Sequence, residues 1–293
     1  YASAIYGKWH LGYKKKFNPM HHGFAEFRGF VSGNIDYISH YDRMEVYDWW
    51  DGLETVEEEG YSTHLITRHA LRFIDENKSR PFCLYVAHEA VHSPFQGPDS
   101  PIQRGPKKDR AKRKTPVEDA YVQMMTAMDE CVGQVLDKLA ELNLEKNTLV
   151  IFCSDNGPEM GAGSAGPFRG FKTHLYEGGV RSSLVAWGGP VAKRNYVNRV
   201  SVFSAIDLVP TLLNLTGTPH PKGVTFDGES LPGTLLGQST GSRKAPIYFR
   251  RPPDRDSYYG DKDLPDLAVR DGKWKFLCEY DGTDPELYNL KTD

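Results

Sequence analysis

The chain has 293 residues, of which 39% are hydrophobic and 26% charged, with 28 Gly and 19 Pro. This is the profile of a loop-rich globular protein large enough to bury a core, and it excludes a disordered or collagen-like chain. A formal charge of −3 gives no general attraction to nucleic acid or an anionic membrane, and no run of about 18 apolar residues is present that could span a bilayer.

Cys83, Cys131, Cys153 and Cys278 are too scattered for a disulfide framework or a zinc motif, and read as buried small hydrophobes. The chain opens at Tyr1 without a basic leader or cleavage site, as an internal fragment of a longer protein would.

The first segment runs through Ala4-Ile5-Tyr6 into Gly7-Lys8-Trp9-His10-Leu11-Gly12. Two glycines bracketing a cation and an imidazole suggest a strand end that turns sharply and presents Lys8 and His10, or else a basic turn with a core Trp. From Phe24 to Gly52 aromatic and polar residues mix without a helical or strand period. Such a stretch is either a ligand-lining surface or a packed Ω-like loop.

Ser62 is placed as N-cap of a helix whose stripe is Leu65, Ile66, His69, Ala70, Phe73 and Ile74, with His69 a core residue. Pro81 then opens a continuous apolar strand, Phe82 to Ala87, that ends in His88-Glu89-Ala90-Val91-His92-Ser93-Pro94. His88 and His92 could pair on a metal, but Pro94 argues against a helical spacing, so a general acid or base role for one of them is preferred.

Seven Lys or Arg between Arg104 and Lys114 read as a solvated surface loop, with a polyanion site as the other reading. A long amphipathic helix follows, from Pro116 or Val117 to about Leu142, with Met125, Met128, Val132, Val135, Leu136, Leu139 and Leu142 expected on its core side.

The run Leu149 to Cys153 reads as a doubly buried strand of a central parallel sheet, delivering Ser154-Asp155-Asn156-Gly157 at its carboxyl end. By itself that tip is an Asx-type turn or a pair of ligands for a hard cation. A glycine-rich segment, Gly161 to Gly170, leads to Lys172, a cation able to meet an anion. Val180 to Trp187 reads as another strand, Ser204 to about Leu215 as a helix ended by Gly217 and Pro219, and the region from about residue 240 as an antiparallel meander with a hairpin at Asp271-Gly272.

Taken together, the strand tips would set Lys8, His10, His88, His92, Asp155 and Asn156 along one sheet edge, joined by Lys172. Cations, imidazoles and a hard-metal site form a set suited to holding and cleaving an oxyanion ester.

The ordered motifs GKWHLG (7–12), GFAEFRGFVSGNIDY (23–37), HEAVHSPF (88–95), SDNGP (154–158), FRGFKTHLYEGGVR (168–181), IDLVPTLLNLTG (206–217) and ELYNL (286–290) resemble the type I, formylglycine-dependent sulfatases of the alkaline phosphatase superfamily. The resemblance implies an α/β fold with a mostly parallel central sheet flanked by helices over residues 1–240, and a small antiparallel α+β subdomain over 241–293. It implies that Lys8 and His10 surround the nucleophile, that His92 and Lys172 bind the sulfate and assist the leaving alcohol, and that Asp155 and Asn156 are ligands of one Ca2+. It further implies a sulfate ester substrate, possibly a sulfated carbohydrate, and a secreted, periplasmic or lysosomal location.

The chain departs from the pattern at the nucleophile. The family's formylglycine is matured from a Cys followed by Pro and then Arg at spacings of two, and none of the four cysteines has them. The paired aspartates expected upstream of GKWHLG are also missing, and truncation accounts for both. The 293-residue polypeptide is therefore expected to lack sulfatase activity and to bind calcium weakly. The remaining readings are a phosphodiesterase or phosphatase of the same superfamily and an inactive sulfated-glycan-binding protein.

Overall fold

A computed structural model of the chain describes residues 1–106, 114–193, 195–252 and 264–293. It divides into two compact units, Tyr1–Glu145 and Lys146–Asp293.

The first unit is built on β1 (Ala2–Lys8), β2 (Glu26–Phe30), β3 (Trp50–Asp51), β4 (Glu54–Thr55) and β5 (Phe82–Ala87), in the order β4-β3-β2-β1-β5. β1 runs parallel to both β2 and β5, while β3 and β4 extend the sheet antiparallel. Side chains alternate across a strand, and the two faces of β1 enter different clusters. Ala4 and Tyr6 pack with Phe30, Ile35, Trp49, Leu65, Ile66 and Phe73. Ile5 packs with Phe27 and Val31 on the other face. Burying each such large apolar side chain contributes roughly 1.5–3 kcal/mol.

The glycines of β1 and β2 matter for a steric reason. A Cβ on Gly7 would lie 2.0 Å from the Ala87 oxygen, and one on Gly29 would lie 2.1 Å from the Gly7 oxygen. Both glycines have positive φ, +112° and +152°. The three parallel strands can therefore come together at their carboxyl ends only because both positions lack a side chain.

α1 (Ser62–Asn77) covers this sheet. Its N-cap is Tyr61 and not Ser62: the Ser62 amide donates to the Tyr37 carbonyl at 2.7 Å, and its hydroxyl is buried without a hydrogen bond among the described residues. The apolar stripe falls where the period places it, with His69 joined to Glu58 at 2.8 Å. α2 (Val117–Glu141) has the expected length, and Leu139 is buried as expected, but the other fully buried positions differ from the expected ones. Ala120, Met124, Ala127 and Cys131 are buried, whereas Met125 is 40% exposed. Small residues on that face let the helix approach closely, a signal that counting large hydrophobes misses.

The second unit holds β6 (Val150–Cys153), α3 (Glu177–Val180), β7 (Leu184–Trp187), α4 (Leu208–Thr216) and α5 (Pro232–Leu235), followed by β8 (Ile247–Arg250), β9 (Leu267–Asp271), β10 (Trp274–Cys278) and β11 (Glu286–Asn289). β6 pairs antiparallel with β7 in a two-stranded sheet, and Phe152 and Cys153 are exposed. This corrects the expectation of a doubly buried parallel strand, because a short apolar run does not by itself reveal its partner or direction. β8 to β11 form an antiparallel sheet in the order β11-β10-β9-β8, with the hairpin at Asp271-Gly272 as expected. Gly217 ends α4 in the left-handed conformation, and Ser204 with Asp207 forms a capping box before it. Cys131 and Cys278 are buried, but Cys83 and Cys153 are exposed, so only half of the expected burial holds.

Replacing Gly7 or Gly29 with Ala is expected to cost about 3 kcal/mol or more, since the new methyl meets fixed backbone and not a movable side chain. Urea denaturation followed by Trp fluorescence measures it, and a loss below about 0.5 kcal/mol would contradict the steric account.

Candidate active site

In the first unit the carboxyl ends of the parallel strands gather the expected groups. β1 delivers Lys8 at its last residue, and His10 follows in a left-handed turn at φ +54°. The His10 ring lies against Gly33, where a Cβ would come within 2.6 Å of Nε2. The next residue, Asn34, reaches the turn after β5: its Nδ2 donates to the Ser93 carbonyl at 2.8 Å and lies 3.3 Å from His92 Nδ1. His92 Nδ1 itself sits 2.7 Å from the Ser93 carbonyl, the shorter contact and one that requires a proton on Nδ1. That tautomer assigns proton exchange to Nε2. The segment 88–95 is not helical, as Pro94 suggested.

The loops bearing these residues are organised by buried carboxylates. Asp36, with no exposed surface, accepts from the amides of Ile38 and Ser39 through Oδ1, and from Gln96 Nε2 and the amides of Gln103 and Arg104 through Oδ2. Asp48 accepts from the Val31 and Ser32 amides and from Trp50 Nε1. The aromatic stretch is therefore largely a packed loop, with Tyr37 and Trp49 fully buried. Arg104 donates from Nη1 to Asn34 Oδ1 at 3.0 Å, so the first cation of the basic loop is half-buried at the site and not solvated. Most of the rest of that loop lies outside the described residues.

Glu89 is the group that the motif reading passed over. Its Oε1 accepts from the Ile35 amide at 3.0 Å, and its buried Oε2 has no hydrogen bond among the described residues. Burial pushes its carboxyl up to about 8, against the pull of the Ile35 amide, Lys8 and Arg104. The neighbouring His88 is pushed the other way, to about 4, by burial with the charge of His64 adding to it. His88 is thus a neutral structural imidazole, which leaves His92 as the acid–base candidate of the pair.

In the second unit Asp155 and Asn156 sit in the turn after β6, where Ser154 Oγ donates to the Asn156 carbonyl at 2.9 Å. Asp155 is exposed, and neither side chain makes a hydrogen bond among the described residues. The turn meets the glycine-rich loop through backbone. A Cβ on Gly157 would lie 1.9 Å from the Gly178 oxygen, and one on Gly179 would lie 2.1 Å from the His174 oxygen. Without a side chain at either position the two backbone segments can touch, while within the 161–170 segment Gly161 and Gly166 face open space. The Lys172 amide donates to the Pro158 carbonyl at 2.9 Å, and its Nζ pairs with Glu159 at 3.2 Å.

The loop is anchored on the C-terminal sheet. Arg169 lies over the Tyr176 ring at 3.9 Å and donates to the Tyr288 hydroxyl at 2.9 Å, while the Tyr176 hydroxyl donates to Glu286 at 2.7 Å. Glu177 accepts from the buried Lys275 at 2.8 Å and from Arg270 at 3.1 Å.

A carboxylate and an amide oxygen suit a hard cation in kind, but Ca2+ takes about 6–8 oxygens. Among the described residues no group of three or more His, Cys, Asp or Glu is placed to hold a metal. Asp155 and Asn156 thus fit as part of a ligand set. No helix among the described residues is long and apolar enough to cross a membrane.

The fold and its strand tips define an α/β protein of alkaline-phosphatase-like architecture. A family profile, Sulfatase, matches residues 1–218. The chain is 34% identical over 275 residues to N-acetylgalactosamine-6-sulfatase of Mus musculus, covering 86% of this chain and 49% of that protein. It is 30% identical over 305 residues to an arylsulfatase of Hemicentrotus pulcherrimus, covering 94% and 49%. A crystal structure of Ps i-CgsB in complex with k-i-k-neocarrahexaose superposes with a TM-score of 0.81 at 25% identity, covering all of this chain and 66% of that one. The chain belongs to the sulfatase family, whose members are generally metal-dependent, and it spans about half the length of the curated relatives it matches.

The proton that folded Glu89 retains from its ordinary 4.5 up to about 8 is absent from the unfolded chain in that window. Stability from this group is therefore full below about 4.5, falls as pH rises, and is lost above about 8. Glu89→Gln removes this dependence, so its thermal midpoint relative to wild type should rise between about pH 5 and pH 9. A difference constant with pH would contradict the assignment, and taking the difference cancels the titration of His88.

Proposed function

We propose that this chain forms part of a sulfate-ester hydrolase whose nucleophile lies elsewhere in a longer polypeptide. The observation that carries the reading is the His92 imidazole, held through Nδ1 on the Ser93 carbonyl beside Asn34, in the same unit as Lys8 and His10. A sulfate ester is anionic and its leaving alkoxide is strongly basic. Lys8 would hold sulfate oxygens, and His10 would line the nucleophile. Lys172, paired with Glu159, would serve as a second cation for the sulfate. His92 Nε2 would give its proton to the departing alcohol.

Asp155 and Asn156 would supply two oxygen ligands to a calcium ion. When bound, calcium supplies positive charge to the sulfate oxygens, and a formylglycine supplies the attacking oxygen. The relatives named for N-acetylgalactosamine 6-sulfate and aryl sulfates, and the neighbour bound to a carbohydrate, support a sulfate ester substrate, with a sulfated carbohydrate preferred.

In the longer protein, His92→Ala is expected to slow esters of poor leaving groups roughly 10²–10⁴-fold, and activated aryl sulfates much less. Equal losses on both would remove the general-acid role. Asp155→Ala should abolish hydrolysis together with the calcium-dependent rise in thermal midpoint. A mutant that is still stabilised by calcium would take Asp155 out of the metal site.

A further inference from the structure

Two loops meet at the candidate site in the first unit: the segment after β2 with Asn34, and the turn after β5 with His92. Asn34 and the Tyr37 hydroxyl bond across to the Ser93 and His92 carbonyls at 2.8 and 2.9 Å, and Glu89 adds a further grip. Its side chain accepts the Ile35 amide at 3.0 Å, and its backbone carbonyl accepts the His92 amide at 2.9 Å. One residue thus grips both loops, one position beyond Asn34 and three before His92. The residue is 4% exposed, and Oε2 has no hydrogen bond among the described residues. An ionised carboxylate could not stay so without a strong partner.

We propose that Glu89 is a positioning residue for His92: its carboxyl, gripping the Ile35 amide, locks the Asn34 segment onto the His92 turn and so fixes the tautomer and orientation of the imidazole. The consequence for ester cleavage rests on the sulfatase reading; the positioning itself does not.

The groups around Glu89 explain how the lock would open. Lys8 at the end of β1 and Arg104 from the following loop draw on its charge, Asp36 opposes it, and Tyr37 and Tyr61 feel it from the loop and from the residue before α1. Arg104 already holds Asn34 Oδ1 at 3.0 Å. If Glu89 loses its proton, the buried carboxylate competes for Arg104, Asn34 lets go of the Ser93 carbonyl it holds at 2.8 Å, and the acceptor of the His92 Nδ1–H is no longer fixed in place.

The test uses the 293-residue chain with 15N-labelled histidine, its His92 signal assigned by loss in His92→Gln, and a long-range 1H–15N correlation that reads which ring nitrogen carries the proton. Wild type should show the Nδ1–H form near neutral pH and a mixture once Glu89 is ionised. Glu89→Gln, which keeps a neutral group of the same shape, should hold the Nδ1–H form throughout, and Glu89→Leu should lose it at every pH. A wild-type pattern unchanged across the alkaline range, or one that changes equally in Glu89→Gln, overturns the proposal, and neither comparison depends on the Leu variant folding. Inorganic sulfate is added as a separate arm. If it leaves the His92 signal unmoved while the tautomer follows Glu89, the sulfate reading fails and the positioning stands; if it moves the signal while the tautomer ignores Glu89, the positioning fails.

Discussion

The first unit depends on the contact of three backbones at Gly7, Gly29 and Ala87. Parallel strands are ordinarily held at hydrogen-bonding distance with side chains standing clear of the ladder. Here the carboxyl ends draw closer than a Cβ permits, and the chain leaves β1 within one residue of the pinch. Lys8, and His10 beyond it, emerge directly from this close backbone contact.

Around that contact the loops are built as polar structure, not as flexible connections. Asp36 gathers five donors from three segments of chain, and Asp48 gathers three more. A buried carboxylate with its lone pairs filled by amides is stable and also directional, because each amide must point at it. Residues 31–49 thus hold a single shape without regular secondary structure. The second unit uses other means to the same end: glycine backbones in contact below the Asp155 turn, and ion pairs and aromatic rings that tie the Lys172 loop to β9, β10 and β11.

The parts of this design that were legible in sequence are those encoded by local pattern. β5 has the predicted bounds, α1 has the predicted stripe, and the Asp271-Gly272 hairpin lies where its turn residues place it. The candidate residues were legible because strand tips carry chemistry after apolar runs. The remainder was hidden for identifiable reasons. The direction of β6 depends on a partner thirty residues away, which a run of five apolar residues does not specify. The face of α2 was set by Ala120, Ala127 and Cys131, whose small size is their contribution. Glu89 stood between two histidines and was overshadowed by them, since only the structure shows that its carboxyl is buried and grips Ile35. Arg104 looked like the first of seven solvated cations, but its hydrogen bond to Asn34 separates it from them.

The anchoring of the glycine loop on the C-terminal sheet bears on how such proteins diversify. Arg169, Tyr176 and Glu177 lie in one motif, while their partners Arg270, Lys275, Glu286 and Tyr288 lie about a hundred residues further on. A loop transplanted from a relative would bring half of a charge network and leave Lys275, which is 1% exposed, facing whatever replaced Glu177. The inheritable module is therefore the loop together with β9, β10 and β11 of the distant sheet. Substrate preference that resides in this loop would then drift along the lineage in step with residues that never meet the substrate.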